Sequence, residues 1–279
     1  MSELSKSKRI TILIIIYTLL IIASVFLMFP FFWMLSSSIK MDREVFAVPI
    51  QWIPANPVWS NYTNIWTRIP LLTFLRNTSF LTLSVTLLQL LTSSFAAYAF
   101  SKLEFRGRNV MFLLYVASIA VPWQAYMVPQ FVMFTTMGLN NTHAAIIILQ
   151  AFTAFGVFLM KQFYDSIPNE LIEAARIDGL SEYRIWRTIV LPLSKPVLAT
   201  LTIFAFVFTW NDFLGPRLYL SSQNLWTIQI GMRMFIGQYA TEFGLVMAIA
   251  SVSLVPILAV FLALQKFFVQ GIATSGLKG

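Results

Sequence analysis

The residues that could take part in chemistry are few, and most are neutral hydrogen-bonding groups inside long apolar stretches. Asp212 is the one acid within such a stretch, where an ionisable group is costly and usually functional. Around it and in other stretches stand aromatic and amide side chains, namely Trp210, Asn211, Gln89, Tyr98 and Gln124. These groups suit hydrogen bonding and stacking along a path for a polar molecule. The alternatives are interhelical hydrogen bonds for the amides and, for Asp212, solvation near a membrane interface.

The same inventory excludes several kinds of catalytic site. The chain has no cysteine and a single histidine, His143, so sites built on thiolates or on several histidines are impossible. Residues 271–278 come nearest to a phosphate-binding loop, but no lysine follows the second glycine directly. The apolar stretches also lack a convergent acid, base and nucleophile. We therefore predict no catalytic residue, no metal ligand and no cofactor bound by this chain, and His143 is expected to be a surface residue.

The composition places the chain in a membrane. Hydrophobic residues make up 58% of it and charged residues only 11%, against about 25% in soluble proteins. The formal net charge of +8 could indicate nucleic acid binding. Lys and Arg also set the orientation of membrane helices, however, and that explanation needs no nucleic acid.

Six membrane-spanning helices are expected. A span needs about 20 mostly apolar residues, and the charge-free stretch 109–160 is long enough for two, divided by the polar turn cluster 138–143. The predicted spans lie within residues 10–39, 77–101, 109–137, 144–160, 196–216 and 243–265. Gly215 and Pro216 are expected to break the fifth of these helices. The first stretch is too long for the apolar core of a signal peptide, the alternative for that segment.

The basic residues indicate the orientation. With the amino terminus in the cytoplasm, thirteen of the 19 Lys and Arg residues fall on the inner side and six on the outer side. Both termini are therefore predicted to be cytoplasmic. The expected organisation is a first helix with an outer loop at 1–73, a transmembrane domain at 74–268 with an inner loop at 166–192, and a cytoplasmic tail at 269–279. The outer loop is rich in Pro, Trp and Tyr, and its aromatic residues could belong to an interfacial belt.

The inner loop is predicted to form a helix, a tight turn and a second helix. Pro168 suits the start of a helix, and Gly179 suits the left-handed residue that ends one. Ser181 can cap the second helix, and Leu191-Pro192 is expected to close it. The second helix could rest on the membrane surface as an amphipathic helix. The alternative is docking of a soluble partner.

The spacing within this loop carries a resemblance. Glu173-Ala174-Ala175, then Gly179, Ile189 and Leu191-Pro192, resembles the EAA loop of binding-protein-dependent ABC importer permeases at every consensus position. Small residues beside Glu173 and Arg176 would let a helix settle into a cleft of a partner. The resemblance implies that Glu173, Ala174, Ala175, Arg176, Gly179, Ile189 and Pro192 couple this chain to an ATPase.

Further segments resemble the smaller, six-span partner of maltose-type carbohydrate permeases. These are the sequence from Trp210 to Pro216, the ending from Gln265 to Gly271, and the prolines Pro122 and Pro129. The resemblance implies an all-α integral membrane protein of the ABC importer type I class in the cell membrane of a prokaryote. It also implies a second permease subunit, two copies of a cytoplasmic ATPase that binds ATP and Mg, and an extracytoplasmic solute-binding protein. A neutral saccharide is the expected solute.

Two other functions are alternatives for a chain of this kind. A secondary transporter would show internal repeats and acidic residues at the bilayer midplane, and the chain has no visible repeat and one candidate acid. An ABC importer permease for a non-sugar solute, such as glycerol phosphate or an amino acid, shares the same EAA loop. An anionic solute would call for Lys or Arg within the spans, and the stretches 77–101, 109–160 and 243–265 contain none.

Overall fold

A computed structural model describes residues 6–237 and 241–276, and the described chain is largely helical. The first helices are α1 (Lys6–Ser37), α2 (Asp42–Val45), α3 (Ser60–Arg68), α4 (Leu71–Lys102), α5 (Arg108–Ala117), α6 (Met127–Thr136), α7 (His143–Gln150) and α8 (Ala154–Asp165). The later ones are α9 (Asn169–Ile177), α10 (Glu182–Ile185), α11 (Leu191–Leu193), α12 (Lys195–Trp210), α13 (Leu214–Tyr219), α14 (Ile228–Arg233) and α15 (Phe243–Gly276). Short 3₁₀ segments lie at Ser118–Ala120, Trp123–Ala125 and Gln223–Leu225, and a π-helical turn at Trp186–Val190.

The described chain divides into two compact units, and the smaller one contains the described residues within 6–69 and 232–253. Within it, hydrogen bonds and an ion pair connect the segment after α1 to the start of α15. Asn61 of α3 donates hydrogen bonds to the carbonyls of Ser38 and Lys40, and Asp42 accepts one from the amide of Gly244. Arg68 and Glu242 form an ion pair. The predicted outer loop is therefore a folded segment with two short helices of its own.

The larger unit contains residues 70–231 and 254–276, and α4 is its central element. This helix packs most extensively against α8 and α12. Its 32 residues include neither Gly nor Pro, so nothing in its sequence interrupts the backbone hydrogen bonds. Most other helices of the unit are short or interrupted.

The described residues contain four helices long and apolar enough to cross a membrane, and a fifth candidate if a bent pair is counted as one span. The four lie at Ile10–Ser37, Leu71–Lys102, His143–Asp165 and Phe243–Phe267, the third of these being α7 and α8 taken together across their interruption. The bent pair joins Glu182–Leu193 to Lys195–Trp210 at an angle of 80°. The last helix continues to Gly276, into the predicted tail, and residues 277–279 lie outside the described part of the chain.

The predicted third span is not one continuous helix. It consists of α5, two 3₁₀ turns and α6. Pro122 lacks a backbone N–H and disfavours a helical conformation at Val121, which is extended. Pro129 lies in the first turn of α6, where a helix tolerates proline.

The break in the fifth predicted span lies earlier than expected. The helix α12 ends at Trp210, and α13 begins at Leu214, so the prediction of a break at Gly215-Pro216 is wrong by a few residues. Gly215 and Pro216 instead occupy the first turn of α13. A carboxylate oxygen of Asp212 accepts a hydrogen bond from the amide of Gly215 at 3.1 Å. Asp212 precedes Phe213, the cap position of α13, and this hydrogen bond satisfies an amide of the first turn that has no partner within the helix.

A glycine lets α8 approach α4 closely, and this contact yields a testable prediction. A Cβ atom on Gly156 would overlap Oγ of Ser93 and Cγ2 of Thr153. We expect Gly156→Ala to cost about 1–3 kcal/mol, since overpacking forces neighbours to shift. The loss should be measured as a lower thermal stability of the detergent-solubilised protein. Adding Ser93→Ala, which removes the overlapping Oγ, should restore part of it. An unchanged stability of the single variant would contradict the close contact.

Candidate functional site

A cavity of about 670 Å³ lies within the larger unit, a volume typical of small-molecule sites. Its walls come from α4, the segment 123–130, α7, α8 and the region where α12 ends. The polar side chains that line it are Gln89, Gln124, Tyr126, Gln130, Gln150, Thr153 and Asp212, and the aromatic ones are Trp123, Phe152, Phe155, Phe204, Phe208 and Tyr219. Among these lining residues Asp212 alone is charged.

Two helix interruptions meet at this cavity and are joined by side chains. One lies between α7 and α8, the other between α12 and α13. Gln150, the last residue of α7, donates a hydrogen bond from Nε2 to Oδ2 of Asp212 at 2.6 Å. Its Oε1 accepts one from Thr209 at 3.1 Å. Gln150 therefore links the two breaks, and inspection of the sequence had missed it.

The break after α7 also depends on α4. Gln89 donates to the carbonyl of Gln150 at 2.7 Å, and Thr92 donates to the carbonyl of Ala151 at 2.7 Å. Carbonyls at an interrupted helix end need such partners, and Thr153 caps the amide of Gly156 at the start of α8. The cavity wall is therefore a hydrogen-bonded frame of backbone and neutral side chains.

Of the six residues predicted to line a solute path, the structure places three at the cavity and three elsewhere. Gln89, Gln124 and Asp212 line the cavity. Trp210 is buried and stacked on Phe206, and Asn211 is exposed, bonding to the carbonyl of Val207. Tyr98 lies at a different place, where its hydroxyl donates to Glu182 at 2.5 Å. His143 bonds to the carbonyl of Leu225, and the described residues contain no cluster of three potential metal ligands.

The EAA loop, residues 166–192, has the predicted turn at its centre. The first helix, α9, starts directly after Pro168. Gly179 has φ +79°, in the left-handed region. The amide of Leu180 donates to the carbonyl of Ala175, and that of Gly179 donates to the carbonyl of Arg176, both at 3.0 Å. This is the Schellman pattern of a glycine-terminated helix.

The second helix differs from the prediction at its end. It runs through α10, the π-helical turn and α11 to Leu193, so Leu191-Pro192 does not close it. Pro192 cannot donate a hydrogen bond and crowds the carbonyl four residues earlier. The wider turn just before it relieves that crowding and allows the helix to pass. Ser181 occupies the cap position of this helix, but its side chain makes no cap hydrogen bond.

The apolar side of the loop is buried in the protein's own core. Ile172 and Ala175 of α9, together with Ile185, Trp186 and Val190 of the second helix, belong to one cluster with residues of α4, α8 and α12. The indole of Trp186 donates to Ser94 on α4 at 2.8 Å. The apolar side of the loop therefore packs against other helices of the same chain and is not free to lie on the membrane surface.

An ion pair holds the two helices of the loop together. Arg176 donates from Nε to Glu182 at 2.7 Å. The Arg176 guanidinium holds the pKa of Glu182 below its ordinary value, and the Tyr98 hydroxyl acts in the same direction against partial burial. Because the pKa is lowered, the contribution of the pair is present above the carboxyl's ordinary titration range. It is lost only as the pH falls through the lowered pKa, so it persists at neutral pH.

The residues predicted to contact an ATPase present a mixed surface. Glu173, Ala174, Arg176, Gly179 and Pro192 are exposed, whereas Ala175 is buried and Ile189 half-buried. Ile177, at the end of α9, is 87% exposed. A loop fixed on one side and open on the other has the form expected of a docking element.

Comparison with protein families assigns the segment that contains the cavity and the EAA loop to a known family. Residues 89–274, which include the cavity and the EAA loop, match the family described as binding-protein-dependent transport system inner membrane component. The chain belongs to this family of permeases. The resemblance found in the sequence is thereby confirmed, and the protein is a multi-pass membrane protein of prokaryotic type.

The sequences of individual relatives are similar to this one over most of its length. The melibiose/raffinose/stachyose import permease protein MelC of Bacillus subtilis (strain 168) is 36% identical over 254 residues, covering 90% of this chain and 91% of that protein. The sn-glycerol-3-phosphate transport system permease protein UgpE of Salmonella typhi is 31% identical over 267 residues, covering 93% and 95%.

A solved structure shares the fold of this permease. It is a chain of a bacterial ABC transporter involved in the import of the acidic polysaccharide alginate, with a TM-score of 0.80 and 27% identity. The match covers 95% of this chain and 99% of that one. The all-α ABC importer permease fold expected from the sequence is therefore confirmed.

Proposed function

We propose that this permease forms half of the path by which an ATP-driven importer carries a neutral carbohydrate across the cell membrane. The composition of the cavity wall supports a neutral carbohydrate as the solute, because amides, aromatic rings and one carboxylate line the cavity without a cation. Neutral sugars are rich in hydroxyls, which such groups can bind by hydrogen bonding and stacking. The import of melibiose, raffinose and stachyose by a relative agrees with this assignment.

The energy for transport comes from a separate subunit. Two copies of a cytoplasmic ATPase bind ATP and Mg, and one of them docks on the exposed side of α9 around Glu173 and Ala174. A second permease chain completes the path, and an extracytoplasmic binding protein delivers the solute. The chain crosses the membrane six times with both termini in the cytoplasm, α5 and α6 together forming the interrupted third crossing.

A second candidate function is the import of a phosphate ester, favoured by the similarity to a glycerol phosphate permease. An anion requires cations or many N–H donors in the wall. The described lining has no Lys or Arg, and its one charge is negative. The neutral solute therefore fits better.

Uptake in whole cells tests the assignment. A strain lacking the gene, and the same strain with the gene restored, are supplied with labelled neutral sugars, sugar phosphates, uronates and amino acids. We expect restoration for one or more neutral saccharides. Restoration confined to an anion or an amino acid would overturn the carbohydrate assignment and leave the importer assignment standing.

Two matched glutamine variants sharpen this test. Gln124→Ala removes an amide from the cavity wall and should raise the half-saturating solute concentration about two- to tenfold, the effect of one lost hydrogen bond. Gln223→Ala removes an exposed amide that does not line the cavity and should leave uptake unchanged.

A further inference from the structure

The last turns of α4 contact the EAA loop at both ends of its first helix. Lys102, the last residue of α4, is 7% exposed. Its Nζ donates to the carbonyl of Ile167, two residues before α9, at 2.7 Å and to Oδ1 of Asn169, the first residue of α9, at 2.8 Å. Its own carbonyl accepts a hydrogen bond from Arg176, near the end of α9, at 3.0 Å. A single residue of α4 thus holds both ends of the nine-residue helix α9.

A second contact lies one turn earlier on the same side of α4. Tyr98 is 4% exposed, and its hydroxyl donates to the carboxylate that pairs with Arg176. One more turn back, Ser94 accepts the indole N–H of Trp186 and shares a hydrogen bond with the hydroxyl of Tyr164. Residues spaced by four lie on one helix face, so these three contacts form a continuous line along α4.

The opposite face of α4 borders the cavity. Gln89 precedes Tyr98 by nine residues, a rotation of about 180° around an α-helix, and Gln89 lines the cavity. From Gln89 to Lys102 the helix rises about 20 Å. The segment between them contains neither Gly nor Pro, whereas the cavity walls formed by α7–α8 and α12–α13 are interrupted. An unbroken helix transmits a displacement, and an interrupted one can absorb it by bending.

We infer that Lys102, Tyr98 and Glu182 are positioning residues that fasten α9 to α4, so that a displacement of α9 reaches the cavity wall at Gln89. The inference rests on the proposed function, because it takes α9 as the element on which the ATPase acts. Lys102 holds the start of α9, and Tyr98 holds its end through Glu182 and Arg176. Loosening these contacts uncouples ATP hydrolysis from the cavity without removing any residue that touches solute or nucleotide.

The first experiment compares the rate of ATP hydrolysis with the amount of solute transported. The importer that co-purifies with a tagged copy of this chain is reconstituted together with its solute-binding protein, and ATP hydrolysis is measured with and without the saccharide identified by uptake. In Tyr98→Phe and Lys102→Met we expect hydrolysis to continue. Its stimulation by solute, and the solute moved per ATP, should fall about fivefold or more, since each variant loses hydrogen bonds in which one partner is charged. Lys102→Arg keeps the donors and should retain most of the coupling.

A matched control lies at the same level of α4. Ser101 donates to Asp165 of α8, away from α9, so Ser101→Ala loses one hydrogen bond of this helix end and should couple normally. Wild-type stimulation in both Tyr98→Phe and Lys102→Met would overturn the inference. A wild-type complex without solute-stimulated hydrolysis would instead count against the proposed function.

A distance measurement tests the fastening without any solute. The chain contains no cysteine, so within this chain spin labels attach only at introduced cysteines, here Leu87→Cys on α4 and Leu171→Cys on α9, both exposed. We expect one narrow distance distribution that is the same in the nucleotide-free complex and in the complex trapped with ATP and vanadate. With Tyr98→Phe and Lys102→Met added, the distribution should broaden or shift between the two states. A wild-type distance that changes between the states, or variants with wild-type distributions, would overturn the inference.

Discussion

Replacing Gly179 by valine should abolish most transport while the permease still inserts in the membrane. Gly179 has φ +79°, and open space surrounds the position of a Cβ atom, so the cost is one of backbone conformation. An L-residue pays about 1–2 kcal/mol in this region, which changes a population about five- to thirtyfold. The Schellman turn would shift toward other geometries and tilt α9. Uptake should fall by a similar factor, measured at equal amounts of membrane-inserted protein.

Matched glycine variants distinguish docking from general strain. Gly138 has φ +72° and also has open space around it, but it lies in the turn before α7. Gly138→Val carries the same backbone cost and should leave coupling to the ATPase intact. Gly179→Asn should keep much of the activity, since asparagine tolerates the left-handed region. If Gly179→Val transported normally, α9 would not be the docking helix.

The EAA loop was predictable from sequence because its signals are local. Pro168 and Gly179 act on their own backbone, through a fixed φ and through freedom to adopt a positive φ. The turn at 138–143 is equally local, and Thr142 caps the start of α7 there. The family match over residues 89–274 confirmed the assignment that this spacing suggested.

The interruption between α7 and α8 had no such signal. Residues 151–153 are Ala, Phe and Thr, with neither Gly nor Pro. The break is supported by Gln89 and Thr92 of α4, which lie 61 and 59 residues away from the carbonyls they bind. Contacts over such separations arise only once the helices pack, so Gln150 stood out in no sequence pattern.

The position of Tyr98 illustrates a signal that the sequence did contain. The prediction that Tyr98 and Gln89 line one path conflicts with helical geometry, because nine residues place them about 180° apart on an α-helix. Helical geometry alone assigns them to different faces. The structure places one at the cavity and the other at the EAA loop.

The contact between Gln150 and Asp212 predicts the other large effect. Gln150→Glu would set two carboxylates against each other where an amide N–H now donates at 2.6 Å. At an effective dielectric constant of about 20, two like charges 4 Å apart repel by about 4 kcal/mol. We expect uptake at neutral pH to fall at least about tenfold, together with the amount of assembled complex.

Asp212→Asn by itself should disturb assembly little. Rotating both amides lets the new side chain donate to Oε1 of Gln150, while Nε2 of Gln150 donates to Thr209 and the amide of Gly215 keeps its acceptor. A loss of uptake without a loss of complex would then show that the carboxylate contacts the solute. Unchanged uptake would indicate that Asp212 either only stabilises the interruption between α12 and α13 or is simply solvated.

The combination of the two substitutions decides whether the pair joins the two helix breaks. In Gln150→Glu with Asp212→Asn, the amide donates to the carboxylate, Thr209 donates to the same carboxylate, and the amide of Gly215 still has an acceptor. The repulsion is removed, the hydrogen bond between the two side chains is restored with its direction reversed, and the bonds from Thr209 and from the amide of Gly215 keep their direction. The double variant should therefore recover most of the assembled complex lost by Gln150→Glu, giving a coupling energy well above the few tenths of a kcal/mol seen for independent sites. Additive losses, measured as yield and thermal stability of the purified importer, would show that the two side chains act separately and that the cavity frame is held by other contacts.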